Sequence, residues 1–274
     1  MKLDVQGGAA YAYTGGRPWA GGERCVVFIH GALNDHSVWT LLARWYAHHG
    51  YRVLAVDQPG HGRSEGPPLA SVEALADWVL ALLDAAGVAS AHLVGHSMGS
   101  LIALEAASRA PRRVAGLVLV GTAYPMKVSQ ALLGTARDDP ARAIAMVNAF
   151  SHSGLASKPS YPGPGAWLRG GADALMHRIQ ARGEGNLFEH DFRVCDAYAN
   201  GLEAAARVTC PAHLVVGTRD VMTPPKAAEA LAGALRATVS RIVSGHALMQ
   251  EAPDAVLDAM RQAIPAELDA MTGE

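Results

Sequence analysis

The feature that most constrains this chain is a series of short apolar runs with no polar alternation. They occupy residues 25–29, 52–56, 91–95, 114–120, 212–217 and 238–243. Each is rich in β-branched residues or leucine, the pattern of a strand covered on both faces of a parallel sheet. Helical stretches separate them at 38–48, 71–86, 98–110, 224–235 and from 253 to about 271. Their punctuation fits helices: Ser71 as an N-cap, Gly87 as a C-terminal stop and Pro253 in a first turn. Alternating strands and helices predict an α/β fold with a mainly parallel sheet. The first 14 residues add an antiparallel hairpin, 2–5 and 9–14, turned at Gly7-Gly8.

One segment breaks the rhythm. Residues 124–207 hold no convincing strand, but have helical stretches around 140–150, 166–182 and 188–206 and a Pro/Gly-rich connector from Lys158 to Gly165. Such an insertion is expected to cap the sheet's C-terminal edge, where open α/β sheets bind ligands. The chain therefore divides into a core domain, 1–123 with 208–274, and a helical cap, 124–207.

Composition narrows the classes. Half of the 274 residues are hydrophobic and 18% are charged, which excludes a disordered chain. A net charge of −2 gives no electrostatic case for a nucleic acid or an anionic membrane as partner. Met1-Lys2-Leu3-Asp4 lacks the apolar stretch of a signal peptide, and no run approaches the ~18 apolar residues of a membrane helix. A soluble, cytoplasmic protein is expected. Cys25, Cys195 and Cys210 are too few and too scattered for a disulfide framework or a zinc site. Twelve histidines invite a metal reading, but there is no HExxH, and the adjacent His48 and His49 point to different sides of a helix. No metal is expected.

The chemistry centres on Gly95-His96-Ser97-Met98-Gly99, which follows an apolar strand and precedes a helix. That context suits a nucleophile elbow: a serine on a strained turn, with small residues two before and two after it so that strand and helix can approach. The helix N-terminus beneath the serine favours developing negative charge. A serine hydroxyl needs a base, and the base an orienting acid, in the chain order Ser, acid, His. Asp220 follows the run at 212–217, and His246 follows the run at 238–243. Ser97, Asp220 and His246 are thus the candidate triad. No carboxylate occupies Gly121-Thr122-Ala123, just past the run at 114–120.

These segments resemble the α/β-hydrolase superfamily, in its serine-nucleophile, esterase-like branch with a helical cap. The motifs are His30-Gly31-Ala32, Asp57-Gln58-Pro59-Gly60-His61-Gly62-Arg63-Ser64, the elbow, Gly217-Thr218-Arg219-Asp220, and Gly245-His246 leading into Glu251-Ala252-Pro253. The resemblance covers nearly the whole chain. It implies a mostly parallel eight-stranded sheet flanked by helices, with the cap inserted. It implies an oxyanion hole from the backbone N–H groups of Met98 and Ala32, with Leu33 the neighbouring candidate. Leu33, Phe150, Leu155 and Trp167 are candidate substrate-binding residues. His30 and His61 are read as loop-shaping, His96 and Trp39 as packing, and Asp57 as tying down the Gly60–Gly62 turn. His152, His190, Asp191 and Asp196 are read as a solvated cap face.

The implied activity is cleavage of a carboxylic ester of a small or medium-sized molecule through an acyl-enzyme, without a cofactor, by a monomer or homodimer. A lactonase or carbon–carbon bond hydrolase is the alternative. Against the latter, Ala247 stands where such enzymes usually place a tryptophan. A non-catalytic ligand receptor is the reading from a different class; turnover separates it from an enzyme.

Overall fold

The computed structural model describes residues 1–20, 22 and 24–265. The chain opens with β1 (Lys2–Val5) and β2 (Gly8–Tyr13), followed by β3 (Cys25–Ile29), α1 (Thr40–His48), β4 (Arg52–Val56) and α2 (Val72–Ala85). Next come β5 (Ala91–His96), α3 (Met98–Arg109) and β6 (Val114–Val120). Five helices follow: α4 (Gln130–Asp138), α5 (Pro140–Ser151), α6 (Leu168–Arg182), α7 (Leu187–Ala197) and α8 (Gly201–Arg207). The chain then returns to the sheet with β7 (Ala212–Gly217), α9 (Glu229–Leu235), β8 (Thr238–Ile242), α10 (Leu248–Glu251) and α11 (Pro253–Ala263).

The eight strands form one sheet in the order β1-β2-β4-β3-β5-β6-β7-β8. β1 and β2 are antiparallel to their neighbours, and the remaining pairs are parallel. The apolar runs are explained by burial on both faces. On β3, Val27 and Ile29 pack with α2 and α3, while Val26 and Phe28 pack with α1 and α11. β6 divides the same way, with Leu117 and Leu119 on one face and Val118 and Val120 on the other. Two-sided burial removes the need for polar alternation. The three cysteines are free thiols. Among the described residues, no helix is long and apolar enough to cross a membrane.

Several expectations need correction. The first hairpin turns at Gln6-Gly7, one residue earlier than expected, and both residues have positive φ, 53° and 83°. That is the backbone of a two-residue turn matched to strand twist. The helix expected at 188–206 is two helices broken at Tyr198-Ala199-Asn200. α4, not foreseen at all, is capped by Ser129, whose side chain accepts from the Leu132 N–H. α11 stops at Ala263, two residues before Pro265, where helical backbone is disfavoured; the rest of its expected span, 266–271, lies outside the described residues.

The cap itself is built from α4 to α7. Leu133, Ile144, Leu175, Ile179 and Phe188 form its own apolar cluster, with Leu33 of the core buried at its base. α8 falls inside the expected cap boundary, yet Ala204 and Ala205 pack into the cluster formed by α2, α3 and the sheet. It packs as a flanking helix of the core.

The tightest point in the fold is where β5 crosses onto α3. A Cβ at Gly95 would lie 2.1 Å from the Gly99 carbonyl oxygen, and a Cβ at Gly99 would lie 2.3 Å from the Ile29 oxygen. Both obstacles are backbone and cannot step aside. Gly99→Ala is therefore expected to cost ~3 kcal/mol or more; urea unfolding measures it, and a loss within ~0.5 kcal/mol would show that the crossing is looser than described.

Candidate active site

Ser97 sits between β5 and α3 with φ 52° and ψ −121°, a backbone state that a side-chain-bearing residue adopts only under constraint. Its N–H is fixed by the Val120 carbonyl at 3.0 Å, and the glycine crossing on either side holds the turn. The constraint lifts the side chain out of the chain's path, and Ser97 lines a cavity of about 570 Å³ between sheet and cap.

Asp220 and His246 follow β7 and β8, at the same end of the sheet. His246 Nδ1 donates to Asp220 Oδ2 at 2.8 Å, and both residues are buried. That bond leaves Nε2 as the remaining ring nitrogen of a residue that shares the cavity with Ser97. The Asp220 carboxylate is organised from all sides. Its Oδ1 accepts the N–H groups of Met222 and Thr223, each at 2.8 Å, and the Thr223 hydroxyl lies 2.7 Å from Oδ2. Burial by itself raises the Asp220 carboxyl; the facing His246 and the Thr223 donors outweigh it and hold the group below the usual carboxylate range. Thr223 escaped the sequence reading. Its signal is the spacing Asp-x-x-Thr, in which a carboxylate gathers the N–H groups of the turn that follows it.

Near Ser97, the Ala32 N–H has no hydrogen-bond partner among the described residues, and Ala32 lines the cavity. Met98 opens α3, so its N–H is one of the first-turn donors that a helix leaves unpaired. The Leu33 N–H is engaged: it donates to Asp191 Oδ2 at 2.8 Å. Leu33 itself has φ 52° and a fully buried side chain in the cap cluster. It is neither a free donor nor part of the cavity wall.

The cap residues also sort differently from expectation. Phe150 lines the cavity. Leu155 and Trp167 do not, and both are about half exposed, at 52% and 51%. Trp167 folds over its own connector, donating from Nε1 to the Ser157 carbonyl at 3.3 Å and covering Gly170. Much of the apolar wall comes from methionines, Met126, Met146, Met176, Met222 and Met249, beside Val147 and Phe192; their unbranched side chains are not oriented by sequence periodicity.

Of the four polar cap residues read as a solvated face, His152 and Asp191 are buried. Asp191 Oδ2 accepts from His61 Nε2 at 2.8 Å as well as from Leu33, so one carboxylate of α7 ties the cap to both the Gly60–Gly62 turn and the Ala32 loop. His61 sits in a fully buried setting that lowers its affinity for a proton. The Asp191 charge and hydrogen bond reverse that, and its pKa is raised above the ordinary value.

The other motif residues shape the surroundings. Asp57 accepts the N–H groups of His36 at 2.7 Å and Arg63 at 2.8 Å, fixing the turn as expected. Asp35, His36 and Asp57 bring ligand-type atoms within 4.8 Å of one another. Their oxygens already serve backbone donors, Ser37 N–H on Asp35 and His36 and Arg63 N–H on Asp57, so the group is accounted for as a loop brace. His30 accepts the Gln58 N–H on Nε2 at 3.2 Å and contacts the Gly31 carbonyl through Nδ1. His96 donates from Nε2 to the His246 carbonyl at 2.9 Å, steadying the loop that carries the histidine.

The alpha/beta hydrolase fold family matches residues 24–253. The chain belongs to this family. A dihydrolipoyllysine-residue acetyltransferase component of an acetoin cleaving system, from Pseudomonas putida, is 30% identical over 239 residues, 84% of this chain but 60% of the relative. The chain thus spans less than two thirds of that relative's length. A pimeloyl-[acyl-carrier protein] methyl ester esterase from Serratia marcescens is 37% identical over 101 residues, covering 37% of each chain. Among solved structures, an esterase from Exiguobacterium antarcticum superposes with a TM-score of 0.79 at 17% identity, covering 96% of this chain and 98% of its own, a likeness of fold.

Two tests follow from the buried polar groups. Asp191→Ala strips a charge from the buried His61 and leaves the Leu33 N–H unpaired, so a loss of ~3–5 kcal/mol is expected in chemical denaturation; a loss under ~1 kcal/mol would mean that the tie carries little. Acid should also destabilise the fold. Burial pushes His30 and His92 down to about 4 and His96 down to about 3. These rings bind protons in the unfolded chain below its ordinary histidine value but not in the native one. Each therefore lowers stability by up to ~1.4 kcal/mol per pH unit between about 6.5 and its native value. The raised His61 works the other way: its contribution is complete at low pH and lost as pH rises through its native value. Unfolding free energy measured from pH 7 to 4 should fall with a slope of more than one proton, and His96→Asn should make it shallower.

Proposed function

We propose that this protein is a serine hydrolase that cleaves a carboxylic ester of a small or medium-sized molecule. The observation that carries the reading is the shared cavity: a serine on a constrained turn and a histidine already held by a buried carboxylate face one apolar space under a cap. The Serratia relative, named as a methyl ester esterase, supports an ester as the bond cleaved.

The steps follow from the atoms. Ser97 Oγ attacks the carbonyl carbon while His246 Nε2 takes its proton. Asp220, held ionised by its donors, fixes the ring with Nδ1 protonated and stabilises the charge that the ring gains. The N–H groups of Ala32 and Met98 receive the oxyanion, each worth about 2.7–4 kcal/mol in comparable sites. His246 then hands its proton to the leaving alcohol, leaving an acyl-Ser97. Water attacks that ester, again with His246 as base, and frees the acid and Ser97. No step draws on a cofactor. A cavity of about 570 Å³ falls in the range that encloses a small molecule.

Lactone cleavage uses the same steps with the alcohol tethered to the acyl group. Carbon–carbon cleavage is less well supported, because Ala247 rather than an aromatic residue follows His246 into the cavity wall.

p-Nitrophenyl esters from acetate to decanoate provide the test. Ser97→Ala and His246→Ala should each lower turnover by ~10⁴-fold or more with folding intact, and Asp220→Asn by up to ~10⁴-fold. Unchanged turnover in Asp220→Asn would assign the acid elsewhere. Labelling of Ser97 by a fluorophosphonate without any turnover would favour a receptor.

A further inference from the structure

We propose that Asn148 and His152 form a polar subsite that selects substrates bearing a hydrogen-bond donor, a hydroxyl or an amide N–H, close to the reacting carbonyl. The inference rests on the hydrolase reading above and deepens it by naming what the substrate must carry.

Both residues line the cavity that holds Ser97 and His246. Both are almost wholly buried, at 1% and 7% exposure. Each has a buried polar atom with no hydrogen-bond partner among the described residues: Asn148 Oδ1 and His152 Nε2. Unpaired buried polar atoms are uncommon in folded proteins, and one in a ligand cavity is a candidate for pairing with the ligand.

The character of the two atoms is fixed by their other bonds. The Asn148 side-chain nitrogen approaches three acceptors, the Ile144 carbonyl at 3.2 Å, Asp173 Oδ1 at 3.4 Å and Met176 Sδ at 3.5 Å. That orients the amide and makes the remaining atom the carbonyl oxygen, an acceptor. His152 Nδ1 contacts the Asn148 backbone carbonyl at 3.0 Å, so it must carry the proton. In the neutral ring Nε2 is then an acceptor too. The four-residue spacing across the last turn of α5 puts the two residues on one face. The subsite is therefore a pair of acceptors without a donor.

Its place is near the chemistry. The Ser151 carbonyl accepts the Ala247 N–H at 3.0 Å, directly after His246. On the other side of His152, the Ser153 N–H donates to Glu251 Oε1 at 2.9 Å, and Glu251 Oε2 accepts the Gly245 N–H at 3.1 Å. The neighbours of His152 are thus bonded to the loop on both sides of His246. A donor that reaches His152 belongs to the part of the substrate beside the scissile carbonyl, within a wall that is otherwise largely apolar. A plain alkyl chain in the same place leaves both acceptors unpaired. A site built to bond a hydroxyl or N–H rejects the analogue that lacks it far more strongly than a pocket rejects a missing methylene.

The test compares kcat/KM for ethyl butyrate, ethyl 3-hydroxybutyrate and the ethyl ester of N-acetylglycine, followed by acid release. The wild-type protein should prefer at least one donor-bearing ester over ethyl butyrate by on the order of 10²–10⁴-fold. Asn148→Leu and His152→Phe should each bring that ratio toward one. His152→Gln, which can still offer an acceptor, should retain more of the preference than His152→Phe. If a variant fails to fold, the wild-type ratio decides alone. A wild-type ratio near one, with all three esters cleaved, overturns the inference and leaves the hydrolase reading standing. Turnover of none of them, with Ser97 still labelled by a fluorophosphonate, shows that the donor class is wrong. If Ser97 is not labelled either, the hydrolase reading fails and the inference falls with it.

Discussion

Everything in the site depends on how closely a strand and a helix can pass. β5 and α3 meet at Gly95 and Gly99, where any Cβ would enter a neighbouring backbone. The short crossing leaves the chain only one residue in which to reverse, and that residue is Ser97, forced to a positive φ. Strain of this kind costs on the order of 1–3 kcal/mol and persists only when the surroundings over-determine it. Here they do, through the ladder from β5 to β6 and the Val120 carbonyl on the Ser97 N–H. The serine is exposed to the cavity because the sheet leaves it nowhere else to go.

Around that fixed point, three carboxylates do the positioning, Asp220 and Asp191 buried and Glu251 half-buried. Asp220 collects the His246 ring and the turn at Thr223. Glu251 bridges the loop before His246 and the end of α5. Asp191 joins α7 to the loop of Ala32 and to His61. Each serves at least one backbone N–H, and each links segments far apart in sequence. The His246 loop, the Ala32 loop and the helices above them are thereby set relative to one another by a few charge-assisted bonds, which are shorter and stronger than neutral ones.

The sheet was legible in the sequence because two-sided burial writes continuous apolar runs, and the six runs match six parallel strands. The residues at their ends, Ser97, Asp220 and His246, could be selected because chain order and strand ends restrict where a nucleophile, an acid and a base can meet; the structure brings Ser97 and His246 to one cavity and bonds Asp220 to the His246 ring. The cap resisted reading for a physical reason. Its helices bury one face on each other and another on the cavity, so their apolar periodicity does not say which side chains face a ligand. Size alone favours Trp167 and Leu155, whereas the walls draw on five methionines together with smaller apolar residues and Phe192. Asp191 and His152 were misjudged because polar residues on an inserted helix usually face water, and only tertiary contact shows that they do not. The expected cap boundary takes in α8, which is as helical as its neighbours but packs with the core.

The burial of Leu33 has a consequence for how such a protein can diversify. Its side chain completes the apolar cluster of the cap, while its N–H is answered by a carboxylate from α7. The cap is therefore not a detachable lid resting on a finished scaffold. A foreign insertion grafted between β6 and β7 would inherit a loop whose conformation had been specified by the segment just removed. To keep the neighbouring Ala32 in place it would have to supply both a hydrophobic seat and an acid at the correct height. Modularity at the level of sequence, with one contiguous insertion and two simple joints, conceals a division of labour in which part of the core's geometry is stored in the cap.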